Sequence, residues 1–447
     1  MFGLKTIKGL FRTWDNEILL LVTLLVLGLL THFFFIWYPA EVVFDEVHYG
    51  KFVNGYLRGE AFFSGHPPLG VQLLTLGAWL GRYRPLFAFE VIGEALTNYS
   101  FVAIRFVANL AGALIPLAVY FFIRSLKLSP KVAFLTGLFL VFDNALLVQS
   151  HYILIDAFLI LFGFLGLAFF MTARNHRYRW PYFIIAGIFL GLGCAVKWTA
   201  LSFVLFCGIV VSCDLLRLLL RKSFRASGKV IAKSLVGLII LPLIIYFGVF
   251  CVHVKLLPNP GPGDAYMSEQ YRTGEKNIVA RFIEFNKVNY YSNVKGITSG
   301  HPYASQFYTW PLMLRSVFYW VNGDAKIYLL GNPIIWWSST IAIFTAIILF
   351  FRRLRKDRII RLLLLGYAVN ILPFLGIERV VFLYHYLPAL IFAVAIMVYL
   401  INASSKKALF VLLALSIITF FYFAPLSYGF RLSPNSFEQR MWLNAWR

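Results

Sequence analysis

Apolar runs of roughly 20 residues recur from one end of the chain to the other, the signature of membrane-spanning helices. Short polar or basic connections separate them. The first run, Ile18 to Trp37, is too long and apolar for a cleavable signal peptide, and no small-residue cleavage site follows it. It reads as a retained span. One stretch is ambiguous: residues 182–216 read as one long apolar run interrupted by Lys197-Trp198. At about 1.5 Å per residue this run fits a single tilted helix or two short crossings.

Charge decides between them. Lys5, Lys8 and Arg12 precede the first span, which places the N-terminus in the cytoplasm. Five later connections are basic: Arg124/Lys127/Lys131, Arg174/Arg177/Arg179, Arg217 to Lys233, Arg352 to Arg361, and Lys406/Lys407. If all lie on one side, an even number of crossings separates each from the next. Residues 182–216 must then be two spans with a hairpin near Gly193 to Trp198. The expectation is an all-α polytopic membrane protein with eleven spans, near 16–38, 101–123, 131–148, 152–172, 182–196, 199–216, 233–254, 331–351, 359–376, 381–401 and 408–424. The C-terminus falls outside. Residues 1–447 form one membrane domain with no internal repeat and no separate soluble unit. Two long outer segments remain, 39–100 and 255–330. The first carries an amphipathic stretch, Leu69 to Leu80, suited to lying in the interface. The second opens on the turn-rich Pro258-Asn259-Pro260-Gly261-Pro262-Gly263. Segments of this length usually carry function.

Composition narrows the partners. The chain is 60% hydrophobic, 18% aromatic and 13% charged, so its solvent is lipid. The formal net charge of +22 lies in short loops, where it sets orientation and attracts anionic headgroups; no basic folded domain is left to bind nucleic acid. Cys194, Cys207, Cys213 and Cys251 lie in or at the ends of apolar segments without metal-ligand spacing, and read as small buried hydrophobes.

Acids are scarce, 19 in 447 residues, and two stand side by side at the outer mouth of the first span: Asp45-Glu46, followed by His48. A carboxylate at a partly desolvated interface has a raised proton affinity, which suits a general base; the competing reading is a solvated pair near headgroups. His66 is held by the prolines of His66-Pro67-Pro68. Arg105 sits inside an apolar helix, where a cation lines a cavity, pairs, or snorkels. Lys197 falls on the outer face at the hairpin tip, suited to a phosphate, with Trp198 beside it as a further candidate or an interfacial anchor. Asp143-Asn144 and His151 with Asp156 form another group, with Asp156 either functional or paired to Arg105 for helix packing. Glu378-Arg379 and Tyr384-His385-Tyr386 end the outer side of the tenth span. Cations and acids thus converge on one leaflet, as a lipid-linked phosphate donor requires. No Gly-rich phosphate loop or metal-ligand cluster is present, so the activated group arrives on a lipid.

These runs resemble one family. Phe44-Asp45-Glu46-Val47-His48-Tyr49-Gly50-Lys51, His66-Pro67-Pro68-Leu69-Gly70, Gln149-Ser150-His151-Tyr152-Ile153-Leu154-Ile155-Asp156 and Val196-Lys197-Trp198 look like motifs of the protein O-mannosyltransferases. So do His301-Pro302-Tyr303-Ala304-Ser305, Trp310-Pro311-Leu312-Met313, Gly331-Asn332-Pro333 with Trp336-Trp337, and Phe382-Leu383-Tyr384-His385-Tyr386-Leu387-Pro388. They follow the family's order over nearly the whole chain. The resemblance implies a GT-C membrane fold and inverting transfer of mannose from a polyprenyl-phosphate-mannose to Ser or Thr of exported polypeptides, on the outer face of the plasma membrane and in reach of the translocation machinery. It assigns catalysis to Asp45 and Glu46 and donor phosphate binding to Arg105, Lys197 and Arg379. His48, His66, Asp143, Asp156, His301, Tyr303, Tyr384 and His385 are expected to bind or support substrate. No cofactor is implied beyond the lipid-linked donor, and a divalent-cation requirement stays open. Three departures stand out: Ser150-His151-Tyr152 replaces Ser-Arg-Tyr, Val71 stands where lysine is usual, and residues 255–330 are too few for the lumenal β-trefoil of eukaryotic members. The last departure looks like a bacterial or archaeal form. The alternatives are a related GT-C transferase moving another lipid-linked sugar, and a lipid flippase or transporter.

Overall fold

The computed structural model describes residues 16–274, 276–296 and 300–447; Lys5, Lys8 and Arg12 lie outside the described residues. Among the described residues, eight helices are long and apolar enough to cross a membrane: Tyr99–Ser125, Asp156–Asn175, Trp198–Leu220, Phe224–Leu256, Pro333–Arg352, Arg358–Gly376, Leu383–Ser404 and Lys406–Tyr428. Pro130–Val141 and Asn144–His151 are long and apolar enough only together; bent by 64° at their break, they form either one broken span or a re-entrant loop. The shorter apolar helices Glu17–Phe33 and Trp180–Val196, of 17 residues each, lie at two further positions where spans are expected.

Polar residues punctuate these runs. Ser129 caps Pro130–Val141, and Pro130 occupies the first turn, where its missing N–H costs nothing. Asn332 accepts from Ile334 N and Ile335 N and starts Pro333–Arg352 in the same way. Asp143 starts the second helix of the bent pair by accepting from Leu146 N at 2.9 Å. One boundary differs from expectation. The helix Phe224–Leu256 begins well before residue 233, so most of the stretch from Arg217 to Lys233 is helix and not loop. Charges end an apolar run without ending the helix that carries it.

Two ion pairs resolve the ambiguous run. Lys197 Nζ lies 3.0 Å from Asp156 Oδ1, at the start of Asp156–Asn175. Arg174, at the end of that same helix, lies 2.6 Å from Asp214, near the end of Trp198–Leu220. The chain therefore travels back along Trp180–Val196 and out again along Trp198–Leu220, as two passes. The basic connections gather at the Arg174 end. Asn175 donates to Ser125 O at 2.7 Å, Lys233 Nζ to Tyr178 O at 2.7 Å, and Arg124 pairs with Glu17 at 2.7 Å. Neighbouring helices approach through small residues: a Cβ on Gly187 would stand 2.3 Å from Gly237 O. Of the cysteines, Cys194 and Cys207 are buried as expected, but Cys213 is exposed and Cys251 half-buried, on helix flanks rather than in the core; all are free.

At the opposite end the two long segments meet. Ala61 N donates to Asn259 O at 3.0 Å, Asn293 Nδ2 to Gly65 O at 2.6 Å, and Tyr56 Oη shares a 2.6 Å hydrogen bond with His253 Nδ1. Leu69–Leu80 is a helix of 12 residues that buries Leu69, Val71 and Leu74 and exposes Leu76, Trp79 and Leu80. The apolar pattern did not predict an antiparallel hairpin, Val317–Asn322 with Ala325–Leu329. Its two-residue turn is Gly323-Asp324, between the paired Asn322 and Ala325, with Gly323 at φ 57°, where glycine carries no steric penalty. The hairpin docks on the first long segment through Phe44 N to Tyr319 O at 3.1 Å.

Candidate functional site

The adjacent acids have different surroundings. Glu46 opens the helix Glu46–Arg58 and is fully buried. Its two oxygens meet Arg105 Nε and Nη2, each at 2.8 Å, and also accept from Val43 N and Ile153 N at 2.9 Å. Arg105, also fully buried, gives its remaining N–H groups to the carbonyls of Ile36, Pro39 and Glu41. All five guanidinium donors are engaged. This corrects two expectations: Glu46 has no accessible oxygen for proton transfer, and Arg105 has no free donor for a phosphate. The pair is a fully desolvated tie between the first long segment and the helix that starts at Val102. Arg105 therefore pairs with Glu46 and not with Asp156.

Asp45, one residue earlier, is left free. It occupies the cap position of Glu46–Arg58 without capping it, and its side chain makes no hydrogen bond among the described residues. The residue before it, Phe44, has φ 47°, a left-handed conformation that a bulky residue rarely adopts. The Phe44 ring stacks on Tyr319 at 3.9 Å and 8°, so the hairpin helps hold this turn. Burial raises the Asp45 pKa to about 7; Lys197 pulls it down and Asp156 pushes it up. Near neutrality Asp45 can thus both hold and release a proton.

A polar chain backs Asp45. Tyr319 Oη donates to Gln149 Oε1, Gln149 Nε2 donates to Asp156 Oδ2 at 2.9 Å, and Lys197 Nζ donates to Asp156 Oδ1 at 3.0 Å. Lys197 stands in the extended break between two helices, at φ −158° and ψ 139°. Its Nζ lies 5.3 Å from the centre of the Tyr384 ring. Trp198 is tied down separately, donating to Tyr246 Oη at 3.0 Å.

Arg379 is partly buried and makes no hydrogen bond or ion pair among the described residues. With Lys197 and His66 it surrounds a small recess of about 30 Å³. Burial and the two nearby cations push the His66 pKa well below its ordinary value, so the ring is neutral there. Beyond the recess lies a cavity of about 450 Å³, lined mostly by apolar side chains and reached by Asp156, Arg379, Tyr384 and His385. His385 is held at Nδ1 by the backbone of Phe382, while its buried Nε2 has no partner. The rim residues Leu201 and Leu205 are exposed on the flank of Trp198–Leu220, so the cavity opens toward the apolar surface of a spanning helix. An anionic head on an apolar tail fits this shape: cations and imidazoles at one end, hydrocarbon walls along the other.

The structure thus brings Asp45, His66, Asp156, Lys197, Arg379, Tyr384 and His385 together. Asp143 is elsewhere, buried and occupied by Leu146 N, Asn332 N and Trp336 Nε1 as a helix cap. His48 is exposed on the flank of its helix. His301 and Tyr303 lie on an exposed loop, with the His301 ring 5.0 Å from Phe382 and Tyr303 stacked on Phe318 at 5.8 Å. His151, which replaces the family's arginine, is buried with neither ring nitrogen partnered. Sequence reasoning missed Tyr319 and Gln149. The first was signalled by Gly323-Asp324 between two β-branched and aromatic runs; the second opens the run Gln149 to Asp156 that carries the family resemblance, which gives it no role of its own. Among the described residues no group of three His, Cys, Asp or Glu side chains is placed to hold a metal ion.

Comparison with known proteins identifies the family and the fold. Residues 22–258 match the family model for dolichyl-phosphate-mannose-protein mannosyltransferase, and residues 278–446 match the C-terminal four-span region of protein O-mannosyltransferase. A protein O-mannosyl-transferase 2 from Danio rerio is 31% identical over 279 residues, covering 61% of this chain and 37% of that relative. The chain thus aligns with little more than a third of that relative's length. The Saccharomyces cerevisiae Pmt1-Pmt2 complex bound to the sugar donor superposes with a TM-score of 0.90 at 20% identity, covering 97% of this chain and 93% of that one. ArnT from Cupriavidus metallidurans bound to undecaprenyl phosphate gives 0.52 at 15% identity, covering 87% and 60%. Both have the GT-C fold expected here.

Proposed function

The chain belongs to the dolichyl-phosphate-mannose-protein mannosyltransferase family, and from that premise we propose that it moves mannose from a polyprenyl-phosphate-mannose to Ser or Thr hydroxyls of exported polypeptides. The observation that carries this reading is the Asp45 side chain, free of hydrogen bonds and with its pKa raised to about 7, in the field of Lys197 and Asp156, where Lys197 and Arg379 line the recess and Asp156 and Arg379 line the apolar cavity. The lipid tail lies in the cavity and its phosphate in the recess. Asp45 takes the proton of the acceptor hydroxyl as its oxygen bonds to the anomeric carbon from the face opposite the phosphate. The bond from that carbon to the phosphate oxygen breaks, and the anomeric centre inverts. The phosphate departs with its electron pair and stays bound to Lys197 and Arg379, which face the charge where it develops. Such a leaving group is a weak base and needs no protonating acid.

Basic connections favour the cytoplasmic side of a bilayer, which supports a site on the outer face of the plasma membrane. Acceptors meet it as they leave the translocation machinery, over the exposed His301 loop. The test uses purified protein in vesicles with radiolabelled polyprenyl-phosphate-mannose and a Ser/Thr-rich peptide, with and without a chelator. Labelled peptide from the wild type and none from Asp45→Asn is the expected result. Label appearing on lipid or glycan instead, or lipid crossing the bilayer without transfer, overturns it. The chelator arm reads whether a divalent cation takes part.

A further inference from the structure

A second chamber lies at the end of the molecule opposite Asp45. Its volume is about 660 Å³, and its walls carry Arg174, Arg177, Arg217, Arg221, Lys229 and Lys233 against a single acid, Asp214. That acid is fully occupied: Arg174 meets it at 2.6 and 2.7 Å, Tyr178 Oη at 2.8 Å and Arg217 at 3.1 Å. Lys233 is spent on Tyr178 O. The side chains of Arg177, Arg221 and Lys229 have neither a hydrogen bond nor an ion pair among the described residues. Arg177 and Tyr178 are consecutive residues in the left-handed region, at φ 55° and 57°, and Lys222 has φ 55°. Strained turns on two sides of the chamber therefore set its charges in place. Such strain persists where the surroundings over-determine it, and it concentrates at ligand sites.

The surroundings name the ligand. Beside the chamber the helix Trp198–Leu220 exposes Leu216, Leu219 and Leu220, and Phe224 opens the next helix with 69% of its surface free. A hydrocarbon-facing flank thus ends directly at a cluster of unneutralised cations. Basic pockets between membrane helices at a bilayer boundary suit lipid headgroups. We propose that this chamber binds the headgroup phosphates of an anionic phospholipid, with the acyl chains along the exposed leucines, as a lipid site separate from the catalytic cavity. A free phosphate shares the headgroup chemistry but not the leucine flank.

The test is retention of lipid through purification, read by native mass spectrometry on the full chain taken from vesicles of phosphatidylcholine with one-fifth cardiolipin. Wild-type protein is expected to keep cardiolipin over phosphatidylcholine. The triple variant Arg177→Gln, Arg221→Gln, Lys229→Gln should keep at least tenfold less. Lys406→Gln with Lys407→Gln, a basic pair outside the chamber, should retain it as the wild type does, and the triple exchange Arg177→Lys, Arg221→Lys, Lys229→Gln should retain an intermediate amount. A folded triple Gln variant, checked by its elution profile, that binds cardiolipin as well as the control pair overturns the proposal. So does displacement of the lipid by millimolar inorganic phosphate, which would assign the chamber to a free anion.

Discussion

Glu46 and Arg105 face each other through two contacts of 2.8 Å, with both side chains wholly removed from solvent. Breaking a buried pair by removing one partner leaves an uncompensated charge and costs about 3–5 kcal/mol. Glu46→Ala should therefore fail on stability. The expected outcome is a large drop in melting temperature in detergent, with the surviving folded fraction losing activity only in proportion. A variant with wild-type melting and no turnover would return Glu46 to the chemistry.

Asp45→Asn should behave in the opposite way. Loss of a general base costs roughly 10²–10⁴ in rate, while the fold loses no hydrogen bond. The burial that raises the Asp45 pKa from 3.8 to about 7 also penalises its ionised form. The folded state then binds a proton that the unfolded chain has released, so the wild type loses stability as pH rises from about 4 through 7. Asparagine carries no such penalty. The variant should thus melt higher than the wild type at pH 8 and close to it at pH 4, measured by thermal scans in one detergent. In the wild type, turnover should rise as pH passes upward through about 7.

The two cations differ in what else they hold. Lys197 is 4% exposed and pairs with Asp156, whereas Arg379 has no ion pair among the described residues. Arg379→Gln should lower turnover by roughly 10²–10³, as loss of one preorganised charge does, with melting unchanged. Arg379→Lys should recover part of the rate. Lys197→Met should lose rate and stability together, because Asp156 is left buried and unpaired, and Lys197→Met with Asp156→Asn should recover stability but not rate. Parallel melting and turnover measurements separate these patterns.

How much of this the sequence revealed depends on the distance of each partner along the chain. The spans were legible because each is a local run of apolar residues, and the hairpin of spans at Lys197 followed from where charges fall. The hairpin of strands was legible too, in Gly323-Asp324 between two aromatic runs, but it lies within 255–330, which reads as one long outer segment between spans. The division between Asp45 and Glu46 was not legible. Neighbouring residues at a helix start point in different directions, and what each meets comes from Arg105, Ile153 and Lys197, far away in sequence. Asp143 failed for the same reason, since its partners Asn332 and Trp336 come from a helix that follows much later.

Tyr319 gives the sharpest test of the supporting chain. Its ring stacks on Phe44, and its hydroxyl donates to Gln149, which in turn holds the Asp156 that pairs with Lys197. Tyr319→Phe keeps the ring and removes the hydroxyl, so stability should change by no more than about 1–3 kcal/mol for the acceptor left unpaired in Gln149. The Gln149 amide is then free to turn, and Asp156 loses a fixed donor. Lys197 should respond through Asp156, weakening the hold on the donor phosphate, so the KM for the lipid-linked sugar should rise while the pH profile set by Asp45 stays in place. Tyr319→Ala also removes the stack that braces Phe44 at its left-handed φ of 47°. That variant should lower kcat as well, because Asp45 follows directly on the turn that has lost its support. Steady-state kinetics on the two variants, with the donor varied at fixed peptide, distinguish the effects. Equal losses in both would mean that the hydroxyl, and not the stack, positions Asp45.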